Sequence, residues 1–304
     1  MKHSTLDRRD FVKGAFALAA LSSTGYGQDT KMIKKPIPAT GESLPVIGLG
    51  TWQVFDVAGS DQELDTRRDI VATLVEHGGS VIDSSPMYAR SERIIGEVIE
   101  AEDNRDALFL ATKVWTNGKE SGARQMQQSA ELMSTEVIDL MQVHNLRDLD
   151  VHWGTIRELQ QDGKIRYNGI TDYRASALDE MEQAIRSVDP QFIQINYSLG
   201  EREADRRLLP FAMDQGIVVL INRPFVSGAL FRAVRGRSVP DWAQSFAASW
   251  GQFFLKYIVS HPAVTCVIPA TSKVHHMRDN AGAGIGALPD AATRKRMESF
   301  VDAL

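Results

Sequence analysis

VIDSS (residues 81–85) running on into PMY (86–88), FLATKVW (109–115) and DLMQVHN (139–145) hold apolar runs that read as three consecutive β-strands. Near their ends stand Asp83 and Tyr88, Lys113, and His144. Lys113 follows Tyr88 by 25 residues and His144 follows Lys113 by 31, room for one strand, one helix and their loops. In a parallel barrel this spacing sets the ends of neighbouring strands side by side, so the four side chains converge on one pocket. A Tyr beside a Lys beside an Asp is a way to make a phenol acidic. The phenol alone has a pKa of about 10. A nearby ammonium stabilises the phenolate, and a buried carboxylate keeps that ammonium charged and aimed.

The same alternation extends in both directions. Further strands are expected at VIGLGTW (46–52), IRYNGIT (165–171), FIQINYS (192–198), IVVLINR (217–223) and TCVIPA (265–270), with the first three set at 80–85, 108–114 and 138–144. Helical stretches with apolar spacing near 3.6 lie between them, such as 66–78 and 204–216, and several close on Gly78, Gly163 or Gly216. Eight β/α units in sequence predict an α/β fold, a (β/α)8 TIM barrel, with an additional C-terminal helix at 290–304. The segment FVSGALFRAVRGRSVP (225–240) reads as a long loop on the C-terminal face, able to fold over a bound cofactor.

A chain of 304 residues with 43% hydrophobic and 24% charged residues suits one soluble globular domain, here 28–304. The net charge of −5 does not point to nucleic acid as a partner. A single cysteine, Cys266, excludes an intramolecular disulfide and a multi-cysteine metal site, and its apolar strand makes it a packing residue. His275 and His276 are adjacent, so on a helix they point about 100° apart, and no metal is expected. Residues 1–27 carry twin arginines in DRRDFVKG (7–14), a short apolar run GAFALAAL (14–21) and small residues after it. This pattern predicts a twin-arginine export signal, with the export machinery as partner and the periplasm as destination. The apolar run is far short of the roughly 20 residues that span a bilayer, so no stable membrane anchor is expected.

The D-x4-Y pair formed by Asp83 and Tyr88, the Lys of ATKVW and the His of DLMQVHN resemble the catalytic tetrad of the aldo-keto reductase superfamily. GLGTW (48–52), LQQDGKIRYNGITDY (159–173), QINYSL (194–199), GALF (228–231) and VIPATSKVHHMRDN (267–280) continue the likeness over roughly residues 44–285. The resemblance implies hydride transfer between a nicotinamide and a carbonyl compound, with NADP as cofactor and NAD not excluded. It implies that Tyr88 is the general acid/base, that Lys113 lowers its pKa, that Asp83 pairs with Lys113, and that His144 orients the carbonyl. It places Gly50, Thr51, Trp52 and Asp83 at the nicotinamide end. Gln194 would hold the carboxamide with the pair after strand five. That pair is usually Ser-Asn in the family and is Thr171-Asp172 here. Where the family usually has a stacking aromatic followed by Ser-Pro-Leu, this chain has Asn222-Arg223-Pro224-Phe225, with Ser227 beyond. Arg223 could place a charge near the pyrophosphate. Ser272, Lys273 and His276 are candidates for a 2′-phosphate at a helix N-terminus, and Asp279 and Asn280 for the adenine. Trp52, Met87, Trp115 and Asn145 would frame the substrate.

Two function classes follow. One is an exported carbonyl reductase or alcohol dehydrogenase acting on a small-molecule carbonyl. The other is a nucleotide-binding barrel that serves as a sensor or partner subunit with little turnover. The departures at Asp172 and Asn222 favour the second, and the intact tetrad favours the first.

Overall fold

A computed structural model describes residues 31–304; the expected export signal at 1–27 lies outside the described residues. The described chain opens with a hairpin, β1 (Lys34–Pro36) paired antiparallel to β2 (Ser43–Pro45). Eight strands follow: β3 (Leu49–Gly50), β4 (Val81–Asp83), β5 (Phe109–Val114), β6 (Ile138–His144), β7 (Ile165–Thr171), β8 (Phe192–Asn196), β9 (Val218–Asn222) and β10 (Cys266–Val267). They pair in parallel and in sequence order. Parallel bridges Ile47–Val267 and Gly50–Ala270 bring the last strand back to the first, so the sheet closes into a barrel. Closure needs Gly50: a Cβ there would stand 2.7 Å from the Ile268 carbonyl oxygen. All eight strands fall within the segments expected from sequence.

Among the described residues ten helices surround the barrel: α1 (Asp61–Glu76), α2 (Ser91–Glu102), α3 (Lys119–Leu132), α4 (Leu149–Gln161), α5 (Leu178–Val188), α6 (Leu208–Asp214), α7 (Ala229–Ala233), α8 (Trp250–Val259), α9 (Val274–Gly282) and α10 (Ala291–Asp302). Ser60 and Glu63 form a capping box at the start of α1, which satisfies backbone N–H groups that the helix leaves open. α10 is the additional terminal helix. It is capped by Asp290 and docks through buried Met297 and through Arg294, which donates to the Tyr197 hydroxyl at 2.6 Å. Among the described residues no helix is long and apolar enough to cross a membrane.

The described residues form two cores. One lies between strands and helices. The other fills the barrel with Val81, Phe109, Leu140, Tyr167, Phe192, Val218 and Leu220, and Cys266 packs there as a buried free thiol. Burial of side chains of this size contributes about 1.5–3 kcal/mol each. The hairpin adds Ile37 and Leu44 to the same core, and the Tyr167 hydroxyl bonds Thr40 and Glu42 from its turn. The hairpin therefore plugs the barrel.

Two expectations change. The helix expected at 204–216 is a 3-10 turn (Glu203–Arg206) followed by the short α6. The long loop at 225–240 contains α7, whose Leu230 is buried, while Phe225 packs 4.8 Å from Phe231. Its apolar residues anchor it to the barrel despite its glycines and arginines.

Candidate active site

Lys113 leaves β5 toward the barrel axis and is 1% exposed. A lone buried ammonium is costly, so its partners matter. Its Nζ donates to both Asp83 oxygens at 2.9 and 2.8 Å and to the Ser84 carbonyl at 2.6 Å. Burial pulls the Lys113 pKa down, but Asp83 and Tyr88 outweigh it and the group ends above its ordinary value. The ammonium therefore stays charged. Asp83 also accepts from Gln142 at 3.4 Å and Gln194 at 3.2 Å.

Tyr88 sits in the turn after β4, with Lys113 Nζ 5.3 Å from its ring centre. Burial pushes its hydroxyl above the ordinary phenol range, Lys113 draws it back down, and Asp83 adds a further upward push. The expected acidification is thus corrected in its net direction: loss of solvent outweighs the ammonium. The phenol is a proton carrier at neutral pH, and Lys113 lessens the cost of its anion.

His144 ends β6, 6.2 Å from the Tyr88 ring, edge to face. Burial and then the Lys113 charge lower its pKa to about 3, so it is neutral. Its Nδ1 lies 3.1 Å from Ser85 Oγ, which in turn accepts from the Met87 amide at 3.4 Å. In the tautomer where the Ser85 hydroxyl donates to Nδ1, Nε2–H is left as a donor toward the site. The site thus combines a protonated phenol, a fixed ammonium and a neutral imidazole donor, enough to protonate and polarise an oxygen.

The remaining expected residues divide into engaged and open groups. Thr51 is fully buried and donates to the Asp83 carbonyl and to Ser84 Oγ, each at 3.0 Å, so it ties β3 to β4. Thr171 Oγ1 donates to the Gln194 carbonyl at 2.9 Å. Gln194 is spent within the barrel: Nε2 goes to Asp83 and Oε1 accepts from Gln142 at 3.0 Å. Asp172 is held by Arg174, which approaches it with Nε at 3.0 Å and Nη2 at 2.7 Å and adds its backbone N–H at 2.8 Å. Gln194 and Asp172, expected as carboxamide contacts, are thus bonded inside the chain as well. Asp279 is likewise taken by Ser249 at 2.7 Å and Gln252 at 2.9 Å, and Asn280 is buried. Pro224 is buried and Phe225 packs on its aromatic neighbours.

The open group lies on the C-terminal face. Trp52 and Met87 are exposed at 47% and 42%. Trp115 is half-buried, and Ser227, Ser272, Lys273 and His276 are exposed. Asn145 Oδ1, Asn222 Oδ1 and Arg223 Nε are buried without a hydrogen-bond partner among the described residues. Unpaired buried polar atoms are costly, and their grouping at strand ends fits a polar ligand. Reading the sequence missed Gln142, Ser85 and Arg174. Gln142 carried a signal, a polar residue two before His144 on the same face of an apolar strand.

Fold and site together define a (β/α)8 barrel with Tyr88, Lys113, Asp83 and His144 gathered at the C-terminal ends of its strands. The sequence profile of the Aldo/keto reductase family matches residues 46–298, and the chain belongs to that family of NAD(P)H-dependent oxidoreductases. It is 31% identical over 210 residues to the aldo-keto reductase YhdN of Bacillus subtilis, covering 64% of this chain and 62% of that one. It is 27% identical over 262 residues to the methylglyoxal reductase YeaE of Escherichia coli, covering 82% and 89%. An aldo-keto reductase of Klebsiella pneumoniae in complex with NADPH superposes with a TM-score of 0.75 at 24% identity, over 89% of this chain and 96% of that one.

Proposed function

We propose that this protein is an NADP-dependent carbonyl reductase in which Tyr88 gives up the proton and, in reverse, takes it. The carrying observation is the buried Lys113–Asp83 pair beside the Tyr88 ring, with neutral His144 opposite. The likeness to a methylglyoxal reductase supports a small carbonyl substrate. The bound nicotinamide would supply or accept the hydride at the carbonyl carbon. Tyr88 donates its hydroxyl proton to the carbonyl oxygen as charge gathers there. Lys113 stabilises the phenolate left behind, and His144 Nε2–H bonds the same oxygen.

The open polar atoms fit the nucleotide. Asn222 and Arg223 would hold it at the end of β9, and Ser272, Lys273 and His276 would receive a 2′-phosphate where α9 begins. The exposed Lys273 and His276 and the NADPH-bound relative support NADP over NAD. The test is NADPH titration by fluorescence followed by a carbonyl panel that includes methylglyoxal. NADPH-dependent reduction supports the reading. Binding with no carbonyl reduced favours the second reading, a nucleotide sensor or partner subunit, which draws on the internal engagement of Gln194 and Asp172.

Residues 1–27 support export to the periplasm by the twin-arginine route. Lys in place of Arg8 and Arg9 should retain the protein in the cytoplasm, and continued export of that variant would overturn the assignment.

A further inference from the structure

Two guanidinium–aromatic stacks stand on the C-terminal face. Arg147 Cζ lies 4.7 Å from the Trp115 ring centre, and Arg223 Cζ lies 5.8 Å from that of Tyr173. They occupy different sectors. Arg223 follows β9, on the side proposed for the nucleotide. Trp115 comes two residues after Lys113 and Arg147 three after His144, so both extend directly from the strands that carry the reactive groups.

Arg147 is held but unneutralised. Its Nε donates to Asn117 Oδ1 at 2.8 Å. Among the described residues its two Nη groups have no acceptor, and no carboxylate lies within 4.0 Å of it. Its neighbours differ: Arg90 is paired with Asp56, and Arg174 with Asp172 and Glu180. Besides the Arg147–Asn117 bond, the Gly118 amide ties the two loops by donating to Asp148 at 2.7 Å. Each loop is also braced on its own side: the Trp115 amide donates to Gln125 of α3 at 2.6 Å, and the Arg147 amide to the His144 carbonyl at 3.2 Å. A chain of net charge −5 thus presents, on the loops that extend from Lys113 and His144, a guanidinium fork that is held in place and unpaired among the described residues. A stacked arginine keeps the edge of its fork free, and that edge matches the oxygens of a carboxylate or phosphate. Holding it in place beforehand removes much of the ordering cost of binding.

We propose that Arg147, stacked on Trp115, receives an anionic group of the substrate, so that the substrate class is carbonyl compounds bearing a carboxylate or a phosphate ester. This rests on the reading of Tyr88, Lys113, Asp83 and His144 as the reducing centre. A brace that merely ties the two loops would affect stability without discriminating charge.

The test measures ratios within matched pairs. Protein saturated with NADP+ is titrated calorimetrically with 4-carboxybenzaldehyde and its methyl ester, and with glyceraldehyde 3-phosphate and glyceraldehyde. The same pairs are then assayed for kcat/KM with NADPH. The anionic member of at least one pair should bind about tenfold tighter or more, as for a hydrogen bond to a charged group, and the pair that shows it separates carboxylate from phosphate. Arg147→Met should bring that ratio close to one, and Arg147→Lys should retain part of it. Arg147→Gln can still reach Asn117, so it repeats the test should the Met variant fold poorly. Equal affinity within both pairs in the wild type, or a preference that survives in Arg147→Met and Arg147→Gln, would overturn the proposal. A charge preference in binding without any turnover supports the anion site and sinks the reductase reading instead. Turnover of the neutral members alone does the reverse.

Discussion

Lys113 Nζ lies 2.8 Å from Asp83 Oδ2, and both side chains are almost wholly removed from water. Neither charge could be kept there alone. The pair joins β4 to β5, Lys113 standing two residues beyond Ala111, the register partner of Asp83, and Gln142 and Gln194 extend it to β6 and β8. The proton chemistry proposed for Tyr88 therefore stands on a network that also fixes the top of the barrel.

Lys113→Met leaves a buried carboxylate without its cation and should cost about 3–5 kcal/mol of stability. The double variant Lys113→Met/Asp83→Asn removes both charges and should be less destabilised than the single one. Urea denaturation of the wild type, the two single variants Lys113→Met and Asp83→Asn, and the double variant checks this. A double variant as unstable as the sum of its parts would show that the two residues act separately.

Asp172 is buried and Arg174 is part-exposed. Arg174→Gln should therefore cost about 1–3 kcal/mol, less than a fully buried break because water can screen the remaining charge. Asp172→Asn in the same background restores an amide and should recover most of that loss while tightening NADPH. Denaturation curves and an NADPH fluorescence titration read both effects. Weaker NADPH binding in the double variant would mean that the Asp172–Arg174 pair itself shapes the nucleotide site.

His144 has its pKa lowered from 6.5 to about 3. Between those values the unfolded chain takes up a proton that the folded chain refuses. Its contribution therefore destabilises the fold as pH falls from 6.5 toward 3 and is constant above 6.5. His144→Asn should flatten that part of the acid limb of thermal stability. In the wild type the His144 ring resonances should not move between pH 8 and 5. A titration midpoint near 6.5 would place the imidazole in solvent.

The pattern of apolar runs was sufficient to place the eight strands, because each is short, continuous and closed by turn residues. The hairpin was not legible: KKP and SLP are three-residue strands with prolines, and only Ile37 and Leu44, buried in the barrel, reveal their purpose. The convergence of Asp83, Tyr88, Lys113 and His144 was legible because strand ends converge in a barrel whatever the details. The states of their neighbours were not. Whether Gln194 faces a ligand or Asp83, and whether Asp172 is free or clasped by Arg174, depends on partners only the folded barrel brings together. The rise in the Tyr88 pKa is of the same kind, since spacing reveals the nearby ammonium but not the depth of burial.

The most direct measurement is a comparison of Tyr88→Phe with the wild type, reading kcat for a reducible carbonyl and the NADPH dissociation constant in the same preparation. Loss of the phenol proton should lower kcat by about 10²–10⁴-fold, as for removal of a general acid, with NADPH affinity nearly unchanged. A Tyr88→Phe protein that reduces the same carbonyl at the wild-type rate would contradict the proposed chemistry at its centre.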